Sequence, residues 1–151
     1  MCDVFKVAKV FCEKRNWSAT NLEIQKLLYI AQVFSLGLRN KLLFKDTIEA
    51  WRYGPVVRNV YDRFKIYGSM PIQSASLADT AEHKCSEEEY GFVSGIAEAT
   101  KDLHDWQLVG LTHRDGTAWK KRYDQFSPIS NVITEEDMRD EFENIWKKHN
   151  D

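Results

Sequence analysis

The hydrophobic residues of this chain recur mainly at intervals of three and four, which is the spacing of one face of an α-helix. Val4, Val7 and Phe11 start such a stripe directly after Asp3, a residue type that caps helix N-termini. The pattern predicts a first helix over residues 4–15, with a basic face opposite the apolar stripe.

The next apolar segment predicts a buried central helix. Thr20 and Asn21 are residue types that start helices, and residues 22 to about 38 are apolar on almost every side. Because such a helix must be surrounded by other elements, we expect it at the centre of the core.

Three polar residues interrupt this apolar helix on one face. Gln25, Tyr29 and Gln32 are spaced at i, i+4 and i+7. Buried polar groups need hydrogen-bond partners, so these side chains either satisfy backbone groups of the core or contribute to a ligand site. The sequence favours the first interpretation and leaves the second open.

Turn and capping residues divide the rest of the chain. The predicted elements are a hairpin joining residues 42–44 to 48–51, a helix from Pro55 to Tyr67 that stops at Gly68, a loop over 69–85, and helices over 86–103, 105–112, 117–123 and from Thr134 onward. Gly91 and Gly95 lie one turn apart and are expected to allow close helix packing. The fold predicted for residues 1–151 is mainly α, a compact single domain of six or seven helices with at most a short two-stranded hairpin.

The charge balance excludes some classes of protein. The chain has 21 Lys+Arg and 23 Asp+Glu, which gives a net charge of −2, although residues 1–71 sum to +6 and residues 72–151 to −8. A net negative chain is far from the basic balance of a nucleic-acid-binding domain, so nucleic-acid binding is not expected. The excess of positive charge in the first half predicts docking of an acidic partner.

The compartment is predicted from what the sequence lacks. No apolar run approaches the ~20 residues that span a bilayer, and the N-terminus does not resemble a signal peptide. We therefore expect a cytoplasmic protein that does not interact with membranes. Cys2, Cys12 and Cys85 are odd in number and widely spaced, which argues against a disulfide framework and a zinc site.

Known catalytic motifs are missing from the sequence. His113, with Thr112 before it and Trp119 after it, is the most suggestive group, but it has no nucleophile nearby in sequence. A structural role for His113 is favoured, and an enzyme using it as acid or base is the weaker alternative. The acidic runs at 87–89 and 135–137 begin helices, where carboxylates favour the helix dipole. No catalytic residue, metal or cofactor is predicted.

Three blocks of sequence carry a family resemblance. They read LEIQKLLYIAQ at residues 22–32, EAWRYGPVV at residues 49–57 with Tyr61 and KIYG at 65–68 after it, and LTH at 111–113 followed by TAW at 117–119. Together they resemble the Panacea domain, the SocA-like antitoxin family formerly described as phage-associated proteins. Where the family usually has proline before the tryptophan, this chain has Ala118.

The resemblance implies an antitoxin that neutralises a cognate protein toxin by direct binding. Some members of the family resemble adaptors that deliver a toxin to a Clp-type protease, which makes a proteolytic adaptor one alternative function. A regulator protein of a phage or mobile element, without a toxin partner, is another alternative.

The residues of the family motif are the candidates for partner binding. They are Gln25, Lys26, Tyr29, Gln32, Trp51, Tyr53, Gly54, Pro55, Arg58, Tyr61, Thr112, His113 and Trp119. Four of them, Gln25, Tyr29, Tyr61 and His113, are expected to form one polar cluster that organises the binding surface.

Overall fold

The computed structural model describes residues 1–82 and 84–147, and most of these residues are helical. The α-helices are α1 (Val4–Lys14), α2 (Asn21–Phe34), α3 (Arg58–Phe64), α4 (Glu87–Ala99), α5 (Asp105–Thr112), α6 (Ala118–Arg122) and α7 (Glu135–Glu141). Tighter or wider helical turns cover Ser35–Arg39, Lys65–Tyr67, Ser74–Glu82 and Phe142–Trp146. The strands are β1 (Ile48–Trp51), β2 (Gly54–Val56) and β3 (Asn131–Ile133). The mainly helical prediction is confirmed, although the strand content was underestimated.

Helix starts follow the capping residues of the sequence. The Thr20 hydroxyl accepts from Glu23 N at 3.2 Å, while the Glu23 carboxylate accepts from Thr20 N at 3.1 Å. Ser86 begins α4 and Thr134 begins α7 with the same reciprocal arrangement. These starts are set locally, which is why the sequence predicted them well.

Helix α2 forms the centre of the fold, as its all-round apolar pattern predicted. It packs against α1, α3, α4, α5 and α7, and against strand β2. Its side chains are buried almost without interruption from Ile24 to Val33. The core therefore surrounds this helix, and its polar residues must find partners inside the protein.

The predicted hairpin is wrong in its pairing. Strand β1 pairs antiparallel with β2 on one side and with β3 on the other. Residues 42–44 form no strand, because the Gln32 amide accepts the backbone N–H of Leu43 and donates to the carbonyl of Phe44. The third strand comes from a segment about 80 residues further along the chain, which local pattern could not reveal.

Pro55 lies in strand β2 and does not start a helix. It faces Ala50 in an edge strand, a position where a missing N–H is tolerated. Helix α3 begins at Arg58, after Val57. The predicted stop at Gly68 is confirmed, with a positive φ of 57° at this residue.

The cysteine spacing argued against a disulfide framework, but two of the three cysteines are paired. Cys2 and Cys85 form a disulfide across 83 positions of sequence, while Cys12 is free and buried. A backbone bond brings the two segments together, since Asp3 N donates to Lys84 O at 3.0 Å. Sequence spacing could not show this contact.

The glycines of α4 do not permit close packing, contrary to expectation. An added Cβ at Gly91 or Gly95 would meet nothing within 4 Å. The close approach lies at Gly37, where an added Cβ would stand 2.1 Å from Cγ of Phe142. Gly37 thus lets the turn Ser35–Arg39, which follows α2, lie directly on the ring of Phe142.

No helix in the part of the chain that the structure describes is long and apolar enough to cross a membrane.

Candidate partner-binding site

The two glutamines of α2 hold backbone segments on either side of the helix. Gln25 accepts from Val57 N at 2.8 Å and donates to Asn21. Gln32 accepts from Leu43 N at 2.7 Å and donates to Phe44 O at 2.8 Å. Their polar groups satisfy the core, in agreement with the interpretation that the sequence favoured.

Tyr29 reaches a residue that the sequence did not single out. Its buried hydroxyl donates to Glu141 Oε1, which also accepts from Ala118 N at 2.8 Å. Glu141 Oε2 accepts from the Trp146 indole N–H at 2.8 Å. Burial raises the pKa of both the Glu141 carboxyl and the Tyr29 hydroxyl. Glu141 could have been noticed because it lies three residues after Met138, on the apolar face of α7.

Lys26 is a fully buried lysine one turn after Leu22. Its side-chain ammonium donates to Pro55 O at 3.2 Å. Burial lowers the pKa of this ammonium to about 7. Its enclosure depends on Gly54, because an added Cβ there would lie 2.6 Å from Lys26 Cε. Gly54 also has a φ of 122°, which side-chain-bearing residues rarely adopt.

His113 lies beside Lys26, at the end of α5. The same hypothetical Cβ at Gly54 would lie 2.9 Å from Lys26 Nζ and 3.3 Å from His113 Nε2. This Nε2 is buried and has no hydrogen-bond partner. Burial and the Lys26 charge lower the pKa of His113, so its neutral form is favoured.

A stack of rings connects this corner to the sheet. His113 stacks on Trp119 with ring centres 3.8 Å apart, and Trp119 stacks on Tyr123 at 4.9 Å. The Trp119 indole N–H donates to Trp51 O at 2.6 Å. Thr112 is buried and donates to Val109 O within its own helix.

Next to Lys26 is a surface pocket of about 430 Å³ formed by α2, β1, β2 and α3. Its lining consists of Asn21, Leu22, Gln25, Lys26, Trp51, Arg52, Tyr53, Val56, Tyr61 and Gly68. We call this the aromatic pocket. A larger cavity of about 490 Å³ near Arg39 and Glu88 contains none of the predicted residues.

Ring contacts and an ion pair hold the wall of the aromatic pocket. Trp51 and Tyr61 meet edge-on with ring centres 4.8 Å apart, and the Arg58 guanidinium lies 5.1 Å from the Trp51 ring centre. Glu49 fixes Arg58 through two bonds of 2.8 and 2.9 Å. The wall is therefore pre-organised before any partner binds.

The structure brings many of the predicted residues to this corner and separates others. Gln25, Lys26, Trp51, Tyr53 and Tyr61 line the aromatic pocket. Just behind or beside it are Gly54, Pro55, Arg58, His113 and Trp119. Tyr29, Gln32 and Thr112 take part in contacts inside the core.

The expected single polar cluster does not form. Gln25, Tyr29, Tyr61 and His113 make no hydrogen bonds to one another in the described structure, and Tyr29 turns instead to Glu141. Gln25 and Tyr29 lie one turn apart on the same face of α2. The spacing of the two residues did not show which residues of other segments they bond to.

Residues 24–120 match the antitoxin SocA-like Panacea domain, which is well over half of the chain. The chain belongs to the Panacea family. The matched range of this Panacea protein runs from α2 to α6 and includes most of the aromatic pocket. Strand β3 and helix α7, including Glu141, lie outside it. Comparisons with curated proteins and with solved structures gave no match.

The buried ammonium predicts a pH dependence of stability. Folded Lys26 loses its proton near pH 7, whereas unfolded lysine keeps it to about pH 10.4. Between these values the unfolded chain binds more protons, so stability rises with pH. We expect wild type to gain about 2 kcal/mol over Lys26→Met between pH 7 and 9.

Urea unfolding of both proteins across this range measures the effect. The comparison with Lys26→Met cancels the groups whose pKa is the same in both proteins, including the Cys12 thiol, whose pKa burial raises to about 12. If the free energy of unfolding changed with pH in the same way in both proteins, the ammonium would not be desolvated, and the interpretation of Lys26 would be wrong.

Proposed function

We propose that this Panacea-family protein is an antitoxin that neutralises a protein toxin by direct binding, with the aromatic pocket as its docking surface. The main support for this proposal is that residues from the first two motif blocks, which are distant in sequence, line one open pocket. Its rim exposes Tyr53, which is 65% accessible, and Leu22, which is 38% accessible.

The chemistry of the pocket supports binding of a protein. Tryptophan, tyrosine and arginine are the residues that most often anchor protein interfaces, and Trp51, Tyr53 and Arg52 lie together here. The Arg52 guanidinium lies 5.5 Å from the Tyr53 ring centre, at the entrance.

A catalytic role has less support. His113 is packed face to face against Trp119, and its neighbour Lys26 is fully enclosed. Within the described residues, no group of three or more His, Cys, Asp or Glu side chains has the arrangement of a metal site. We therefore propose that the protein is not an enzyme and acts by binding alone.

The test is co-expression with the product of the adjacent gene. We expect that product to stop growth when expressed alone, and this protein to restore growth and co-purify with it. If the neighbouring product is harmless, or if the two proteins do not associate, the antitoxin proposal is wrong. Loss of the toxin from cells only when a Clp-type protease is present would indicate delivery to the protease.

A substitution at the rim tests the docking surface itself. Tyr53→Ala removes an exposed ring and should leave stability within about 0.5 kcal/mol of wild type. Affinity for the toxin should fall by about tenfold or more, as for a typical interface anchor. Phe126→Ala is the matched control, since Phe126 is 85% accessible and lies outside the pocket. Equal effects of the two substitutions on affinity would place the interface elsewhere.

A further inference from the structure

We propose that the aromatic pocket binds an anionic segment of the toxin, in which a carboxylate side chain lies next to a bulky apolar one. This inference rests on the proposed antitoxin function and specifies the chemistry of the partner. It is carried by the unbalanced charge of the pocket.

The lining of the pocket contains positive charge and no carboxylate. Lys26 forms part of its wall and Arg52 part of its entrance, and none of the lining residues is Asp or Glu. In the described chain neither cation forms an ion pair: Lys26 bonds a backbone carbonyl, and Arg52 lies over the Tyr53 ring.

Two cations beside the pocket have carboxylate partners. Arg58, just outside, is paired with Glu49 at 2.8 Å. Lys65 on the next helical turn is paired with Asp62 at 3.4 Å. Arg58 and Lys65 thus have carboxylate partners, whereas Lys26 and Arg52 in the lining form no ion pair among the described residues.

The missing counterion is unfavourable for Lys26 because its ammonium is buried. The Lys26 ammonium is shielded from water and uses one of its three donors, on Pro55 O. A buried charge without a partner is unfavourable, and a carboxylate held nearby in a low-dielectric setting would relieve this. The apolar side chain beside the carboxylate would pack on Leu22, Val56 and Tyr61.

The titratable and charged groups around Lys26 come from several elements. They are His113 at the end of α5, Arg52 and Tyr53 between β1 and β2, Tyr61 on α3, and Lys120 on α6, which acts on His113. Below about pH 10, where the tyrosines remain neutral, the only charge that these groups can carry is positive. A bound carboxylate would thus favour the protonated form of Lys26, and binding would take up a proton when the pH is above 7.

The experiment uses the full chain with a matched pair of small probes, 3-phenylpropionate and its neutral amide. Binding is followed by backbone NMR shifts, which also locate the probe. At pH 6 we expect the acid to bind at least fivefold more tightly than the amide, with shifts at residues of the pocket. The acid should lose most of this advantage by pH 8.5, while the amide should bind equally at both values.

Two substitutions separate the charges. Arg52→Gln, at an exposed position, should lower the affinity for the acid about threefold or more and leave the amide unchanged. Lys26→Met should abolish the pH dependence of acid binding. Lys45→Met is the control, because Lys45 is exposed and lies outside the pocket.

The possible outcomes are distinct from those of the growth test. Equal affinity for acid and amide, shifts outside the pocket, no binding of either probe, or an unchanged acid preference in Arg52→Gln would overturn the inference. If Lys26→Met fails to fold, the Arg52 comparison still decides. Growth rescue together with a failed probe test would leave the antitoxin proposal standing and remove only the anionic partner segment.

Discussion

Replacing Glu141 with alanine is expected to lower the free energy of unfolding by about 3–5 kcal/mol. Glu141 is 2% exposed and accepts hydrogen bonds from Tyr29, Ala118 N and Trp146. Its removal leaves the donors of Tyr29 and Ala118 buried without partners and opens a cavity, and the two penalties add. Urea unfolding, analysed at constant m-value, measures the change.

Glu143 provides the control for this substitution. It lies two residues further along, with an exposed side chain paired to Lys147 at 3.2 Å. Glu143→Ala should change stability by less than about 0.5 kcal/mol. If Glu141→Ala were as mild as Glu143→Ala, the buried bonds of Glu141 would not stabilise the fold as the structure indicates.

The effect of Glu141 should extend to the candidate site. Its carboxylate holds Ala118 N, and the next residue, Trp119, donates to Trp51 O in the wall of the aromatic pocket. Helix α7 is thereby connected to the wall of the aromatic pocket through Ala118 and Trp119. Although it lies outside the range that matches the family, this helix fixes part of the family's motif.

Replacing Gly37 with alanine is expected to destabilise the protein by about 2–3 kcal/mol or more. An added Cβ would stand 2.1 to 2.3 Å from atoms of the Phe142 ring, far inside van der Waals contact. Phe142 is buried and packs edge-on against Phe34 at 5.5 Å, so it cannot move away without disturbing the core. Thermal or urea unfolding measures the loss.

Gly91→Ala is the matched control, and its effect should have the opposite sign. Gly91 lies inside α4, where an added Cβ meets nothing within 4 Å. Alanine has the higher helix propensity and restricts the unfolded chain, so a gain of about 0.5–1 kcal/mol is expected. Destabilisation by both substitutions would contradict the packing described for α4.

The sequence predicts those structural features that depend on neighbouring residues and misses those that depend on distant ones. Asp3, Thr20 and Ser86 bond to backbone groups two or three residues away, and their helices start where the sequence indicated. Pro55 was misread because its fixed φ suits both a first helical turn and an edge strand. Pairing with Ala50 across the sheet places Pro55 in a strand.

The sequence predicted which residues belong to the candidate site, but it did not predict their burial or their charge balance. The family resemblance named Lys26, Trp51, Tyr53 and Tyr61, all of which line the aromatic pocket. It gave no sign that Lys26 is fully buried, or that Arg52, which lies in the second block but was not among the candidate binding residues, is the second cation of that pocket. Burial and charge balance depend on which segments meet, and one-dimensional spacing does not contain that information.

The sequence by itself determined the helix starts, the central place of α2 and the membership of the Panacea family, because capping, periodicity and motif are properties of neighbouring residues. Only the tertiary structure decided the partners of β1, the Cys2–Cys85 disulfide and the bond from Tyr29 to Glu141. Each of these joins segments that are far apart in the chain. Such contacts form when burial of the whole core outweighs the entropy of closing long loops, so they are set by the fold as a unit.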